Sequence, residues 1–219
     1  MNQEIFKKKK VWLFDLDNTI YSPHTKIFDQ IDRRMKLFIS KKLSVSEKEA
    51  FILQKKFYNE YGTTLYGLMK HHQFDPDEFL DFVHDIDLSK LKKNTELFDK
   101  INNLPGTKVI YTNGERNYAK KVLLSLGISD LFESIWDIKK SKFIPKPQMS
   151  PLKNLLMEKQ FDSSYCVYFE DIKKNLQPAH QLGITTVHIT ENNSMTKDSY
   201  VDFRFKTIIS ALDMINKTF

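Results

Sequence analysis

Four short, nearly continuous apolar runs organise the chain: Val11-Trp12-Leu13-Phe14, Lys108-Val109-Ile110-Tyr111, Tyr165-Cys166-Val167-Tyr168-Phe169 and Thr185-Thr186-Val187-His188-Ile189. Runs of this length and content predict strands buried on both faces, as in a parallel sheet. A fifth, Asp202-Phe203-Arg204-Phe205, alternates and predicts a short edge strand. Amphipathic stretches separate the later runs. One covers Glu115 to Ser125, with Gly127 just past its end; another covers Ile172 to Leu182, closed by Gly183. Ser150-Pro151 predicts an N-cap followed by proline at the first helical position, opening a helix to about Lys159. This alternation predicts an α/β fold with a doubly wound parallel sheet.

Residues 22–93 follow a different pattern, with helix signals and no strand-like run. Ser46 and Glu49 form a capping box ahead of Ala50-Phe51-Ile52-Leu53, and Gly62 stops that helix. Asp75-Pro76-Asp77-Glu78 supplies an N-cap, a proline at the first helical position and an acidic first turn. The expected organisation is therefore an α/β core domain from residues 1–21 and 94–219, with a smaller all-helical domain, 22–93, inserted after the first strand. A length of 219 residues suits one domain plus a small second one.

Composition narrows the functional classes. Hydrophobic residues at 41% and charged residues at 28% suffice for a packed core and exclude a disordered chain. A single cysteine, Cys166, excludes an intramolecular disulfide framework and a cysteine-rich zinc site. No apolar run approaches the roughly 18 residues of a membrane span. The start, Met1 to Lys10, lacks the apolar region of a signal peptide, so a soluble cytoplasmic protein is expected. The net charge of +6 raises nucleic acid as a partner, but Lys7 to Lys10 is the sole dense basic cluster. Elsewhere lysines alternate with acids, which predicts a solvated face that favours small anions, with neither nucleic-acid nor membrane partners.

The chemistry concentrates at the ends of the predicted strands. Asp15-Leu16-Asp17-Asn18-Thr19 follows the first strand directly, and ligands in open α/β sheets gather at the carboxyl ends of strands. Two carboxylates two positions apart on an extended chain share a side and suit a hard cation. Taken alone, the same residues also make an ordinary turn.

In combination they resemble the haloacid dehalogenase superfamily. Its first motif, Asp-x-Asp-x-Thr after a buried strand, is matched by Phe14-Asp15-Leu16-Asp17-Asn18-Thr19-Ile20-Tyr21. The second is matched by Thr112 in Tyr111-Thr112-Asn113-Gly114, the third by Lys146 in Pro145-Lys146-Pro147, and the fourth by Glu170-Asp171 with Asn175 four positions on. The resemblance covers about residues 11–190. It implies a Rossmann-like core and reads the helical insert as a cap. Within the superfamily the chain looks like the pyrimidine 5′-nucleotidase group, through Asp17 to Tyr21, Tyr61-Gly62-Thr63-Thr64-Leu65-Tyr66-Gly67-Leu68 and His84-Asp85-Ile86-Asp87-Leu88-Ser89. Glu170 departs from the more usual Asp or Gly.

The resemblance implies a Mg²⁺-dependent phosphomonoesterase acting on small phosphorylated metabolites, nucleoside 5′-monophosphates foremost. Asp15 would be the nucleophile and Asp17 the general acid and base. Thr112, the amides of Asn113 and Gly114, and Lys146 would bind phosphate, the amides at the start of the following helix where anions are favoured. Asp15, the main-chain carbonyl of Asp17, Asp171 and Glu170 would form the metal site, and no organic cofactor is implied. A sugar-phosphate phosphatase or phosphomutase would use the same motifs, whereas a dehalogenase has no alkoxide for Asp17 to protonate. A non-catalytic nucleotide-binding module has little use for all of these residues together.

Other residues carry weaker signals. Lys142 is an alternative to Lys146, and Glu170-Asp171 also suits a helix N-terminus. Tyr21 is a candidate for the base or ribose pocket. His71-His72 reads as a surface pair, since zinc needs three or four converging ligands. Tyr66 and Met69 have core spacing, and Cys166 reads as a buried, inert thiol in mid-strand.

Overall fold

The computed structural model describes residues 3–192 and 198–219. Its centre is a six-stranded sheet in the order β3-β2-β1-β4-β5-β6, built from β1 (Val11–Phe14), β2 (Thr107–Tyr111), β3 (Ser134–Trp136), β4 (Cys166–Glu170), β5 (Thr185–Ile189) and β6 (Phe203–Phe205). Every neighbouring pair is parallel, with Phe14 opposite both Ile110 and Phe169. The period-two pleat sends alternate residues to two separate cores. Trp12, Phe14, Ile110, Val167 and Phe169 face one side, while Val11, Leu13, Val109, Tyr111, Cys166 and Tyr168 face the other. Phe14 stacks on Phe169 at 4.7 Å between ring centroids. Burying both faces is what makes the strands read as unbroken apolar runs.

Four helices, α1 (Ile27–Leu43), α2 (Glu47–Tyr61), α3 (Thr64–His71) and α4 (Pro76–His84), lie between β1 and β2 and form the cap. The Ser46–Glu49 capping box is present, Asp75 caps α4 with Pro76 at its first position, and Gly62 ends α2 at φ +89°. The core helices are α5 (Thr95–Asn102), α6 (Arg116–Leu126), α7 (Met149–Glu158), α8 (Lys173–Gln181) and α9 (Ile208–Asn216). Among the described residues, no helix is long and apolar enough to cross a membrane.

The structure differs from the sequence reading in four places. Strand β3 is only three residues long, too short for a period, so periodicity alone does not reveal it. Glu115 is the N-cap of α6 instead of its first residue, because its carboxylate accepts the amides of Asn117 and Tyr118. Helix α7 begins at Met149, one residue before the expected cap Ser150; Pro151 is tolerated there because first-turn amides have no helical partner. Cys166 opens β4 instead of sitting mid-strand. It is buried, and desolvation pushes its thiol up to about 12, leaving it inert.

Candidate active site

The first strand delivers Asp15 to the C-terminal edge of the sheet, where its amide extends the ladder to the Phe169 carbonyl at 2.9 Å. The chain then turns sharply. Asn18 adopts φ 58°, a left-handed conformation that asparagine tolerates, and the Ile20 amide closes back on the Leu16 carbonyl. That turn brings the Thr19 hydroxyl to Asp15 Oδ2 at 2.9 Å. Thr112 leaves β2 beside it and Glu170-Asp171 leaves β4 on its other side. Residues far apart in sequence meet here because the central strand has both neighbours in register.

Lys146 completes the cluster. Its ammonium lies 2.5 Å from Asp15 Oδ1, 2.8 Å from Glu170 Oε2, 3.1 Å from the Tyr168 hydroxyl and 3.2 Å from the Tyr111 carbonyl. Lys142, the alternative, is exposed, whereas Lys146 is buried. The loop carrying it is tied by its own amide to the Asn113 side-chain oxygen at 2.9 Å. Gly62 of the cap presses on the same loop: a Cβ there would sit 2.7 Å from the Lys146 carbonyl oxygen.

Charge in this pocket is unbalanced. Asp15, Glu170 and Asp171 each bring a carboxylate oxygen within 4.8 Å of the others, against one buried cation. Burial and the Glu170 charge push Asp15 up to about 7 despite Lys146. Burial, Glu170 and Asp15 push Asp171 up to about 9. Burial also works against an ionised Glu170, but Lys146 and the Tyr168 hydroxyl outweigh it and hold the carboxyl low. Burial would lower Lys146, yet Asp15 and Glu170 keep it firmly protonated. A surplus of buried carboxylates at this spacing is an oxygen-donor set that fits a divalent cation such as Mg²⁺.

The remaining expected residues fall into place unevenly. The carboxylate of Asp17 lies outside that acidic cluster: its Oδ1 accepts the Tyr21 hydroxyl at 2.5 Å and the Tyr118 hydroxyl at 2.6 Å. Tyr21 therefore stands behind Asp17 and does not line the cleft. Thr112 Oγ1 accepts the Gly114 amide at 2.9 Å, which uses up that amide and leaves the hydroxyl proton free. The first amides of α6 are occupied by Glu115, so that helix end does not offer the open anion seat expected of it. Sequence reasoning missed Tyr118 and Tyr168, which it had no reason to separate from core aromatics.

Above the cluster the cap closes a cavity of about 390 Å³. Phe28, Ile31, Met35, Phe79, Leu80 and Val83 give it apolar walls. Its polar edge is Asp32, which accepts Lys55 Nζ at 2.6 Å and the Gln54 side-chain amide at 2.9 Å. Neither Tyr66 nor Met69 lines the cavity. His71 stacks on Phe57 and bonds the Tyr61 hydroxyl at 2.6 Å, and the adjacent His72 continues the same aromatic cluster.

A parallel α/β core, strand-end carboxylates, a buried lysine and a helical cap define a hydrolase of the haloacid dehalogenase type. Residues 12–189 match the sequence profile of the haloacid dehalogenase-like hydrolases, and the chain belongs to that family. It is 28% identical over 229 residues to phosphate metabolism protein 8 of Saccharomyces cerevisiae, covering 94% of this chain and 71% of that protein. Two solved structures share the fold. The HAD phosphatase of Thermococcus onnurineus superposes with a TM-score of 0.64 at 19% identity, over 94% of this chain and 97% of that one. The magnesium-bound HAD hydrolase YfnB of Bacillus subtilis does so with a TM-score of 0.62 at 16% identity, over 95% and 99%.

Proposed function

We propose that this protein is a Mg²⁺-dependent phosphomonoesterase that hydrolyses small phosphorylated metabolites, with nucleoside 5′-monophosphates as the expected class, through an aspartyl-phosphate on Asp15. The observation that carries this reading is the buried Asp15 carboxylate, held by Lys146 and Thr19 at the floor of a capped cavity. Residues 22–93 are taken as the cap and residues 1–21 with 94–219 as the core. The nucleotide preference rests on the cap stretches Tyr61 to Leu68 and His84 to Ser89, and on an apolar chamber edged by Gln54, Asp32 and Lys55. The yeast relative's name, which places it in phosphate metabolism, agrees with the reaction class.

Asp15 and Asp171 would hold the cation, with the main-chain carbonyl of Asp17. When bound, it would neutralise the charge of nucleophile and phosphate. Glu170 gives one oxygen to Lys146 and Tyr168 and the other to the Ile172 amide, so we assign it to orienting Lys146. In the first step a carboxylate oxygen of Asp15 bonds to phosphorus and the ester P–O bond breaks. Asp17 passes its proton to the departing oxygen. In the second, water attacks phosphorus, Asp17 takes back a proton, and the Asp15–phosphorus bond breaks. The Thr112 hydroxyl and Lys146 stabilise the equatorial oxygens as charge develops.

A phosphate-release screen over nucleoside monophosphates and sugar phosphates, with and without Mg²⁺, tests this. Release is expected for at least one nucleoside monophosphate with Mg²⁺, and none with a chelator. Asp15→Asn is expected to abolish release and to keep the native circular dichroism spectrum. Unaltered turnover in that variant would refute the nucleophile assignment.

A further inference from the structure

The cap reaches the surroundings of Asp17 through His84. Tyr118 is buried in α6, and its hydroxyl shares Asp17 Oδ1 with that of Tyr21, the two hydroxyls lying 3.2 Å apart. Two donors on one oxygen orient the carboxyl and leave the other oxygen to carry a proton, and Asp17 lines the cavity. The face of the Tyr118 ring is covered by the imidazole of His84, at 4.4 Å between centroids and 4° between planes. His84 is the last residue of α4, in the cap, and it lines the cavity. The other end of α4 is also fastened to the core, through Asp77 and Lys139 at 2.8 Å. Burial pushes His84 down to about 3, so its ring is a neutral plate at working pH and not an acid or base.

We propose that His84 and Tyr118 are positioning residues for the proton of Asp17. The cap sets the Tyr118 ring by stacking, Tyr118 sets the carboxyl by its hydroxyl, and the proton donor is in place only when the cap is seated. This rests on the reading of Asp17 as proton donor to the leaving oxygen.

Leaving-group dependence tests it. The p-nitrophenolate of p-nitrophenyl phosphate departs without protonation, whereas the alkoxide of 2-glycerol phosphate needs a proton. The quantity read is kcat/KM, which reports the first phosphoryl transfer and not the later hydrolysis. Tyr118→Phe removes only the hydroxyl, His84→Leu fills the space without a flat ring, and His84→Phe keeps the ring without its nitrogens. We expect Tyr118→Phe and His84→Leu to lose at least about tenfold more on glycerol phosphate than on p-nitrophenyl phosphate, and His84→Phe to restore most of that difference. Equal losses on both esters in His84→Leu would overturn the proposal. So would a His84→Phe variant as impaired as His84→Leu, which would make His84 a substrate contact. Asp17→Asn is the control for the underlying reading: if it too loses equally on both esters, the proton-donor role of Asp17 falls; if it discriminates and His84→Leu does not, only the positioning role falls.

Discussion

Replacing Lys146 with methionine removes the cation held between two buried carboxylates, Asp15 and Glu170, beside the half-buried Asp171, and retains most of the side-chain volume. Its ammonium contacts Asp15 and Glu170 at 2.5 and 2.8 Å with the lysine only 4% exposed. Breaking a buried ion pair by deleting one partner costs about 3–5 kcal/mol. For a chain of this size about 1 kcal/mol moves the melting temperature by roughly 2–4 °C. The expected drop is therefore on the order of 6–20 °C at pH 8 with a chelator present.

The penalty has a pH signature. Without the lysine, the folded-state carboxyls of Glu170 and Asp15 rise, so the folded variant binds protons that folded wild type does not. A carboxyl raised in the folded state gives stability that falls as pH rises. Glu170 is held low in wild type, so its part of the deficit already builds from below the ordinary carboxylate range; Asp15, near 7, adds its part above neutrality. Melts followed by circular dichroism at pH 5 and pH 8 should show the gap between variant and wild type widening with pH. Saturating Mg²⁺ should narrow it, since the variant's carboxylates, freed of the lysine charge, should bind a cation more tightly than those of wild type and so gain more by mass action. Melting temperatures within about 2 °C of each other at pH 8 in chelator, against the roughly 6 °C minimum, would show that Lys146 does not balance this charge.

Two further outcomes follow from single positions. Gly62→Ala places a Cβ 2.7 Å from the Lys146 carbonyl at a φ of +89°, so it should cost about 1 kcal/mol or more in urea unfolding and lower kcat/KM by shifting the lysine loop; an unchanged variant would mean that the cap does not bear on that loop. His84 is neutral when folded and ordinary when unfolded, so below pH 6.5 and down to about 3 the unfolded chain binds the extra proton and wild type loses up to about 1.4 kcal/mol per pH unit; His84→Phe should lack that component in urea melts at pH 7.5 and 5.5, and identical slopes would contradict a buried neutral imidazole.

The fold was legible where burial dictates residue type. Strands β1, β2, β4 and β5 are covered on both faces, so both pleat directions demand apolar side chains and the runs stand out. The capping box at Ser46 and the proline start at Pro76 are local chemistry and need no tertiary information. Strand β3 has three residues, too few for a period, and is specified by pairing to β2. Thr112 and Asp171 stand where a strand hands over to a loop, whereas Lys146, in the loop before α7, was readable only through the Pro145-Lys146-Pro147 stretch that resembles the family's third motif.

What sequence could not give is which hydrogen-bonding capacity is already spent. Glu115 reads as an ordinary first-turn acid, yet its carboxylate occupies the amides that an incoming anion would need. Tyr21 reads as a cleft aromatic, yet its hydroxyl is committed to Asp17. Glu170 reads as a metal ligand, yet both its oxygens already accept from Lys146, Tyr168 and Ile172. In each case the residue type permits a ligand, and a neighbour takes the atom first, most often one within four residues along the chain. The substitution of Glu for a shorter side chain at position 170 then acquires a physical meaning. The extra methylene lets one carboxylate reach the lysine while its second oxygen holds the turn into α8. On the proposed reading, a bound cation would then be balanced chiefly by Asp15 and Asp171, whose carboxyls burial and the neighbouring acids raise.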